Sequence, residues 1–479
     1  MPTTQAQPKG LYALLFAEVW ERYSFYTMQT LLVLYLITQF NFNDNNAYAL
    51  FGAFSALVYI TPVIGGFLAD RLLGYRRCIF IGSGFYIVGY AVLVFLGHPL
   101  FYIALGCIVA GNGFFKANVS ALLGKLYEEN DIRRESGFTL FYMGINIGSF
   151  MASIISALLM QRFGWSTAFG AAGLGMLLGM VVCMYTFRVL GHHGRSPNKA
   201  LLLKNFFGLR YIHLIYIGTI ACVFIVAELI KYPAIADHLY SVFGALVVVG
   251  LFLLTFRYEG KQRKKLIVLV TLTLISVIFW ALYAQMFTSI TLFTQRIVQR
   301  ELWGWTIPAP MFIGLNPFFI ILISPGLAWL WKYLQIKQLN PSMPMKFAGG
   351  ILFISVSFFV LKLSILFAGN HKVDPLWLIP TYALQVIGEL SLSAIGLAMI
   401  TSLAPEKLVG VLMGAWLLAI AAGFAVGSGI AKLTAIPAHA SNLQIAHIYS
   451  HNFLWFGTVG VVIGLIILPF VPALKKLMA

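Results

Sequence analysis

The sequence predicts an all-α, polytopic membrane protein with fourteen transmembrane helices, on three observations. Of its 479 residues, 60% are hydrophobic and 10% charged, where a soluble domain carries about 25% charged residues. The apolar residues gather in stretches of about 20, the length that crosses roughly 30 Å of hydrocarbon as a helix. Those stretches lack the alternating pattern of a membrane β-barrel. A soluble chain of this size would still need a polar surface, so the natural solvent here is lipid.

In chain order the predicted helices run over 11–39, 47–70, 76–97, 99–121, 136–161, 165–188, 207–231, 236–257, 263–297, 308–333, 345–367, 374–402, 406–435 and 446–472. Basic stretches at Arg188–Arg210 and Arg257–Lys265 bracket the seventh and eighth. The expected plan is therefore a six-helix bundle over 1–190, cytoplasmic linkers with two extra transmembrane helices over 191–262, and a second six-helix bundle over 263–479. Two similar halves around a central cavity are a recurrent transporter plan. The polar stretch Met1–Gly10 is not a cleavable signal peptide, so the first helix is expected to insert uncleaved.

The net charge of +17 does not describe a nucleic-acid face, because Lys and Arg sit in short runs between apolar stretches. Most of them fall in loops on one side if both termini are cytoplasmic, which sets that orientation by the positive-inside rule. The four cysteines, Cys78, Cys107, Cys183 and Cys222, lie in or beside apolar segments without a CxxC pair and read as small core residues. Between the second and third helices, Gly65-Gly66-Phe67-Leu68-Ala69-Asp70-Arg71 precedes Gly74-Tyr75-Arg76-Arg77. Small residues there would let two helices approach closely, while Asp70 could pair with the arginines. This segment resembles the corresponding loop of the major facilitator superfamily.

A charge at the bilayer centre costs roughly 2.5–3.5 kcal/mol, so each intramembrane charge is a functional hypothesis. In the first helix, Glu18, Glu21, Arg22, Phe25, Tyr26 and Gln29 recur at helical spacing on one face. Two carboxylates and a guanidinium one turn apart form a coupled titrating group, and protonating one acid would free Arg22 for another anion. The alternative is a structural ion-pair network. Lys116, in Gly111-Asn112-Gly113-Phe114-Phe115-Lys116, needs an anionic partner, either a helix-one carboxylate or a substrate carboxylate, unless it snorkels to the interface. Glu389, in Gly388-Glu389-Leu390-Ser391-Leu392-Ser393, has no base nearby in sequence and should be protonated, bind a cation, or meet a structural partner from another helix. The first half thus offers cations and the second an anion. A ligand with a carboxylate at one end and an ammonium at the other fits across their interface, as a peptide or a free amino acid would. Asn146 and Asn316 are amides inside apolar helices that could bind peptide N–H and C=O groups together. Tyr26, Tyr59, Trp280 and Trp416 are candidates for side-chain pockets, or for packing and interfacial anchoring.

Three segments then carry a more specific resemblance. Glu18–Tyr26 resembles the ExxERFxYY signature of the proton-dependent oligopeptide transporter family, Phe141–Ser149 its FYxxINxGS motif, and Gly388–Ser393 its GELxxS motif, in order and over essentially the whole chain. Tyr283-Ala284-Gln285-Met286 with Thr288-Ser289 looks like the bacterial dipeptide and tripeptide permease branch. The resemblance implies a major facilitator fold and a proton-coupled symporter for dipeptides and tripeptides in the bacterial inner membrane. It implies protons as the coupling ion with no other cofactor, membrane lipid as surroundings, no nucleic-acid partner, and function as a monomer. It assigns the peptide carboxylate to Arg22 and Lys116 with Tyr26, and the amino end to Glu389, Asn146 and Asn316. Proton coupling falls to Glu18, Glu21, Arg22 and Lys116, and pocket shape to Tyr59, Trp280 and Trp416 with Ser393 nearby.

Two departures stand out. Gln29 and Ala284 replace a charged pair that closes an outer gate in many members, and Tyr23 and Phe25 exchange hydroxyls relative to the signature. The alternative reading is a major facilitator carrier for another solute, such as nitrate, an amino acid or a drug-like anion. A peptide-sensing or structural membrane protein with the same fold is a further alternative. No nucleophile–base pair, metal cluster or phosphate loop suggests an enzyme, and the glycines of 423–429 read as close helix packing.

Overall fold

The computed structural model describes residues 6–128, 131–190, 192–206 and 208–478. Residues 1–5 of the polar N-terminal stretch, and residues 191 and 207 of the basic stretch 188–210, lie outside the described residues.

The first long helix, α1, is Lys9–Gln39. Among the described residues, thirteen helices, α1 not included, are long and apolar enough to cross a membrane: α2 Asp44–Leu73, α3 Tyr75–Phe95, α4 His98–Gly124, α5 Arg134–Phe163, α6 Trp165–Phe187, α7 Tyr211–Lys231, α8 Pro233–Phe256, α9 Gly260–Ile297, α10 Ala309–Ile336, α11 Met343–Ala368, α12 Pro375–Leu403, α13 Glu406–Thr434 and α14 Asn442–Met478. Helix α1 is less apolar because it carries Glu18, Glu21, Arg22 and several amides and hydroxyls. Helices dominate because lipid offers no partner for a free backbone group, and a helix satisfies its own.

Each predicted helix is present, with shifts at its ends that have local causes. The expected start of α7 at 207 moves to Tyr211, because Asn205–Phe206 (β1) pairs with Leu209–Arg210 (β2) next to Gly208 at φ 79°. A positive φ suits glycine in a tight turn and not in a helix. Helix α14 begins at Asn442, earlier than expected, on a capping box in which the Ser441 hydroxyl accepts from the Gln444 N–H and Gln444 reaches back to the Ser441 N–H. A second hairpin, Glu301–Leu302 (β3) with Trp305–Thr306 (β4), follows α9.

The chain forms two compact units, Met1–Leu32 with Leu57–Pro233, and Val33–Ala56 with Ala234–Ala479. In the first, α3 packs along α4 and α6, and α7 lies against α4. A Cβ at Gly65 would strike the Gly113 carbonyl, so the glycine brings α2 and α4 to backbone contact as expected. Asp70, however, does not pair with an arginine in any described ion pair. Its carboxylate accepts from the Tyr75 hydroxyl at 2.7 Å.

In the second unit, α11 packs on α12 and α14, α9 on α13, and α10 on α12. Gly423 and Gly427 face Trp280 and Ala281 of α9 at close range, while Gly429 faces open space. The glycine run is therefore packing at two of its three positions. The end of α1 and the beginning of α2, within Val33–Ala56, belong to this unit. Phe51 stacks on Phe287 at 6.1 Å, and Asp44 accepts both arms of Arg296 at 2.7 Å and the Ile436 N–H at 2.9 Å.

Helix α9 is broken at Ala284–Met286, a single 3₁₀ turn. Side chains take up the carbonyls that the break leaves without regular partners. Thr288 donates to the Ala284 carbonyl at 3.0 Å and Thr291 to the Met286 carbonyl at 2.7 Å. Gln285 donates to the carbonyls of Ala281 and Gly427, and Ser289 donates to the Gln285 amide oxygen. A helix in lipid tolerates a break when side chains satisfy the backbone in this way. The Tyr283–Ser289 segment is thus the sequence of the break. Three cysteines are buried as expected, but Cys222 is exposed on α7, because a helix with few protein neighbours turns small residues toward lipid as readily as inward.

Candidate functional site

In the first unit the charged face of α1 is turned inward. Glu18 and Glu21 are fully buried and Arg22 is 5% exposed. Arg22 presents its guanidinium fork to Glu21, with Nε donating to Oε2 and Nη2 to Oε1, both at 2.6 Å. The same Nη2 donates to Asn112 Oδ1 at 2.9 Å, and Asn112 is held by its own donation to the Val58 carbonyl at 2.8 Å. The Tyr86 hydroxyl donates to Glu21 Oε1 at 2.7 Å. The Phe25 ring lies 4.6 Å from the guanidinium carbon, a cation–π contact.

Lys116 reaches from α4 to Glu18 Oε1 at 2.7 Å, while Arg22 Nε stands 3.6 Å from the same oxygen. The anionic partner that Lys116 needed is therefore a helix-one carboxylate. The buried face of helix one alone has two acids and one base, Glu18, Glu21 and Arg22. With Lys116 the four groups balance formally, which satisfies the electrostatic demand of burial. Glu18 Oε2 is buried without a hydrogen-bond partner among the described residues. A buried carboxylate oxygen left without a donor costs free energy. The two acids thus differ, since both oxygens of Glu21 are held by donors and one oxygen of Glu18 is not.

Helix α5 closes on this group through Gly148. A Cβ there would meet the Val19 carbonyl, the Arg22 Cβ at 2.8 Å and the Tyr23 N at 3.1 Å. Two residues before it, Asn146 is 5% exposed, and its Nδ2 donates to the Tyr142 carbonyl of its own helix at 3.0 Å. Its amide oxygen accepts none of the described hydrogen bonds. Tyr26 on α1 and Tyr59 on α2 are half-buried.

In the second unit Glu389 is half-buried on α12, and Asn316 Nδ2 of α10 donates to its Oε2 at 2.9 Å. Tyr283 of α9 also hydrogen-bonds this carboxyl. No described ion pair includes Glu389, so its partners are neutral. Trp280 sits beside Tyr283, edge to face at 5.3 Å, and its buried indole N–H has no acceptor among the described residues. Ser393 is half-buried one turn from Glu389. Trp416 is 2% exposed, edge-on to Phe347 at 6.2 Å and filling the space that Gly396 leaves. Its ring is packed between helices of its own unit. Among the described residues, no group of three or more His, Cys, Asp or Glu side chains could hold a metal ion.

A family model described as "POT family" matches residues 76–447. The chain belongs to the POT family. It is 36% identical over 476 residues to dipeptide and tripeptide permease A of Serratia proteamaculans, covering 98% of this chain and 92% of that protein. It is 37% identical over 486 residues to dipeptide and tripeptide permease B of Aliivibrio fischeri, covering 98% and 95%. A crystal structure of peptide transporter POT in complex with sulfate superimposes with a TM-score of 0.85 at 30% identity, covering 98% of this chain and 96% of that one.

This POT family protein therefore carries the signature on α1, the second motif on α5 against α1, and the third on α12. Three residues of the two clusters, Asn112, Tyr86 and Tyr283, were given no site role by the sequence, Tyr283 entering only through the Tyr283-Ala284-Gln285-Met286 resemblance. Asn112 could have been found as an amide inside an apolar helix, by the argument that singled out Asn146. Tyr86 gave no such signal, and the motif around Tyr283 assigned it no contact, because a tyrosine in an apolar helix is as often packing as partner.

Proposed function

We propose that this chain is a proton-coupled symporter that imports dipeptides and tripeptides by alternating access, with protons as the only coupling ion. The observation that carries the reading is the balanced Glu18–Glu21–Arg22–Lys116 group with one unpartnered carboxylate oxygen. A proton added at Glu18 Oε2 neutralises that acid and leaves the group with one excess positive charge. Lys116 then lacks its anion, and a peptide carboxylate replaces it. The gain is mutual, so the peptide carboxylate and the proton each favour the other's binding. Glu389 supports the amino-end role by the converse argument, since a carboxylate with neutral partners attracts an ammonium. Asn146 through its amide oxygen, Asn316, and the Trp280 indole N–H supply polar contacts for the peptide backbone. Tyr26, Tyr59 and Ser393 contribute shape. Trp416 acts on a pocket by supporting its wall.

One charge crossing 100 mV gains about 2.3 kcal/mol, or roughly 50-fold accumulation. The distribution of Lys and Arg supports both termini being cytoplasmic in a bacterial inner membrane, and the chain is proposed to work as a monomer. The test is uptake of labelled dialanine into proteoliposomes with an inward proton gradient and a negative interior, with and without a protonophore. Accumulation that collapses with the protonophore is expected. Absence of uptake, binding and counterflow together would overturn the reading.

A further inference from the structure

One end of the first unit carries a basic cluster that plays no part in the peptide reading. Helix α3 starts there, α6 ends there and α7 starts there, and a cavity of about 310 Å³ opens between the three. Its polar wall is Arg76 and Arg77 of α3. Its apolar wall is Phe80 of α3, Met184 and Phe187 of α6, and Tyr216 of α7.

The two arginines differ. Arg76 is anchored, with Nε donating to the His193 carbonyl at 2.6 Å, Nη1 to the Phe187 carbonyl at 2.8 Å, and its guanidinium 5.5 Å from the Phe187 ring. Arg77 is exposed and belongs to none of the described ion pairs. Behind them the loop after α6 adds positive charge. Burial, with His192, Arg76 and Lys125 beside it, holds the His193 imidazole below its usual range, and Arg195 also lies close to Arg76. The nearest acid on α2, Asp70, is engaged by the Tyr75 hydroxyl. Phe80 and Met184 are nearly half exposed, and on a membrane helix such side chains face acyl chains.

Positive charge at a helix end directly above an exposed apolar wall matches the two parts of one kind of molecule. We propose that this cavity binds one anionic phospholipid, with the phosphate on Arg77 beside Arg76 and an acyl chain along Phe80 and Met184. A soluble anion would use the arginines but not the apolar wall, and a neutral lipid the reverse. Basic pockets between transmembrane helices recognise headgroups in this manner. Only the leaflet, the cytoplasmic one, rests on the proposed orientation. The lipid class does not.

The test is native mass spectrometry of the detergent-purified full chain, titrated with phosphatidylglycerol or with phosphatidylcholine of the same chain length. Glycerol phosphate serves as a soluble competitor. The chain is expected to retain phosphatidylglycerol preferentially, and Arg77→Gln to weaken that retention about five-fold, the effect of one basic residue near a membrane surface. Arg77→Lys should recover most of it, and Phe80→Ala should weaken it without changing the headgroup preference. Equal retention of the two lipids, unchanged retention in Arg77→Gln, or displacement by glycerol phosphate would overturn the proposal. Peptide uptake is not the readout, so the lipid assay can fail while the transport reading stands.

Discussion

Replacing Lys116 with alanine leaves Glu18 fully buried with Arg22 Nε at 3.6 Å as its nearest cation. Removing one member of a buried pair costs about 3–5 kcal/mol, because the other charge stays buried. The remaining contact to Arg22 puts the expected loss near 3 kcal/mol. The reverse change, Glu18→Gln, is milder, because the Lys116 side chain is 30% exposed and its ammonium can turn to water. That loss should be about 1 kcal/mol or less, as for exposed pairs. The double variant has neither charge and should resemble Glu18→Gln, which gives a coupling energy of about 3 kcal/mol in a double-mutant cycle. The assay is the thermal midpoint of the four purified proteins in one detergent, alongside dialanine uptake with and without a proton gradient. Both single variants and the double should lose gradient-driven uptake, while counterflow should survive in Glu18→Gln. Equal destabilisation by the two single changes would refute the burial asymmetry. Gradient-driven uptake by Glu18→Gln would refute Glu18 as the proton site.

Further outcomes follow from other contacts. Asp44→Asn weakens two bonds from Arg296 and one from the Ile436 N–H. It should cost about 2 kcal/mol, an estimate lowered for the partial exposure of Arg296, and adding Arg296→Gln should lower the thermal midpoint little further. Gly148→Ala places a methyl against the Arg22 backbone region and should cost about 1–3 kcal/mol and raise the KM for dialanine. Gly84→Ala, with open space around its Cβ position, should change neither. Glu389→Gln keeps the shape of the contact to Asn316 at 2.9 Å and should leave the thermal midpoint within about 1 kcal/mol of wild type. Its KM for dialanine should nonetheless rise at least ten-fold, and an unchanged KM would remove Glu389 from the ammonium role.

By itself the sequence determined the class, the helices and most charged residues of the two clusters. Lipid excludes unsatisfied backbone and isolated charge, so a helical chain announces its spans as apolar stretches and its sites as exceptions to them. That argument located Glu18, Glu21, Arg22, Lys116 and Glu389 with no contact known. It could not say that Arg22 grips Glu21 and that Lys116 takes Glu18, since both acids stand within reach along the same face of α1. Only the approach of α4, set by glycines at its contacts with α2 and α3, decides which acid meets the lysine and which oxygen is left over. Tertiary structure alone also showed Asp70 turning to Tyr75, Trp416 packed inside its own unit, and Tyr86, Asn112 and Tyr283 joining the clusters. The partners of Trp416, Tyr86, Asn112 and Tyr283 lie on other helices, at distances along the chain that no local pattern encodes, and a hydroxyl or an amide in lipid declares only that it needs a partner, not which one.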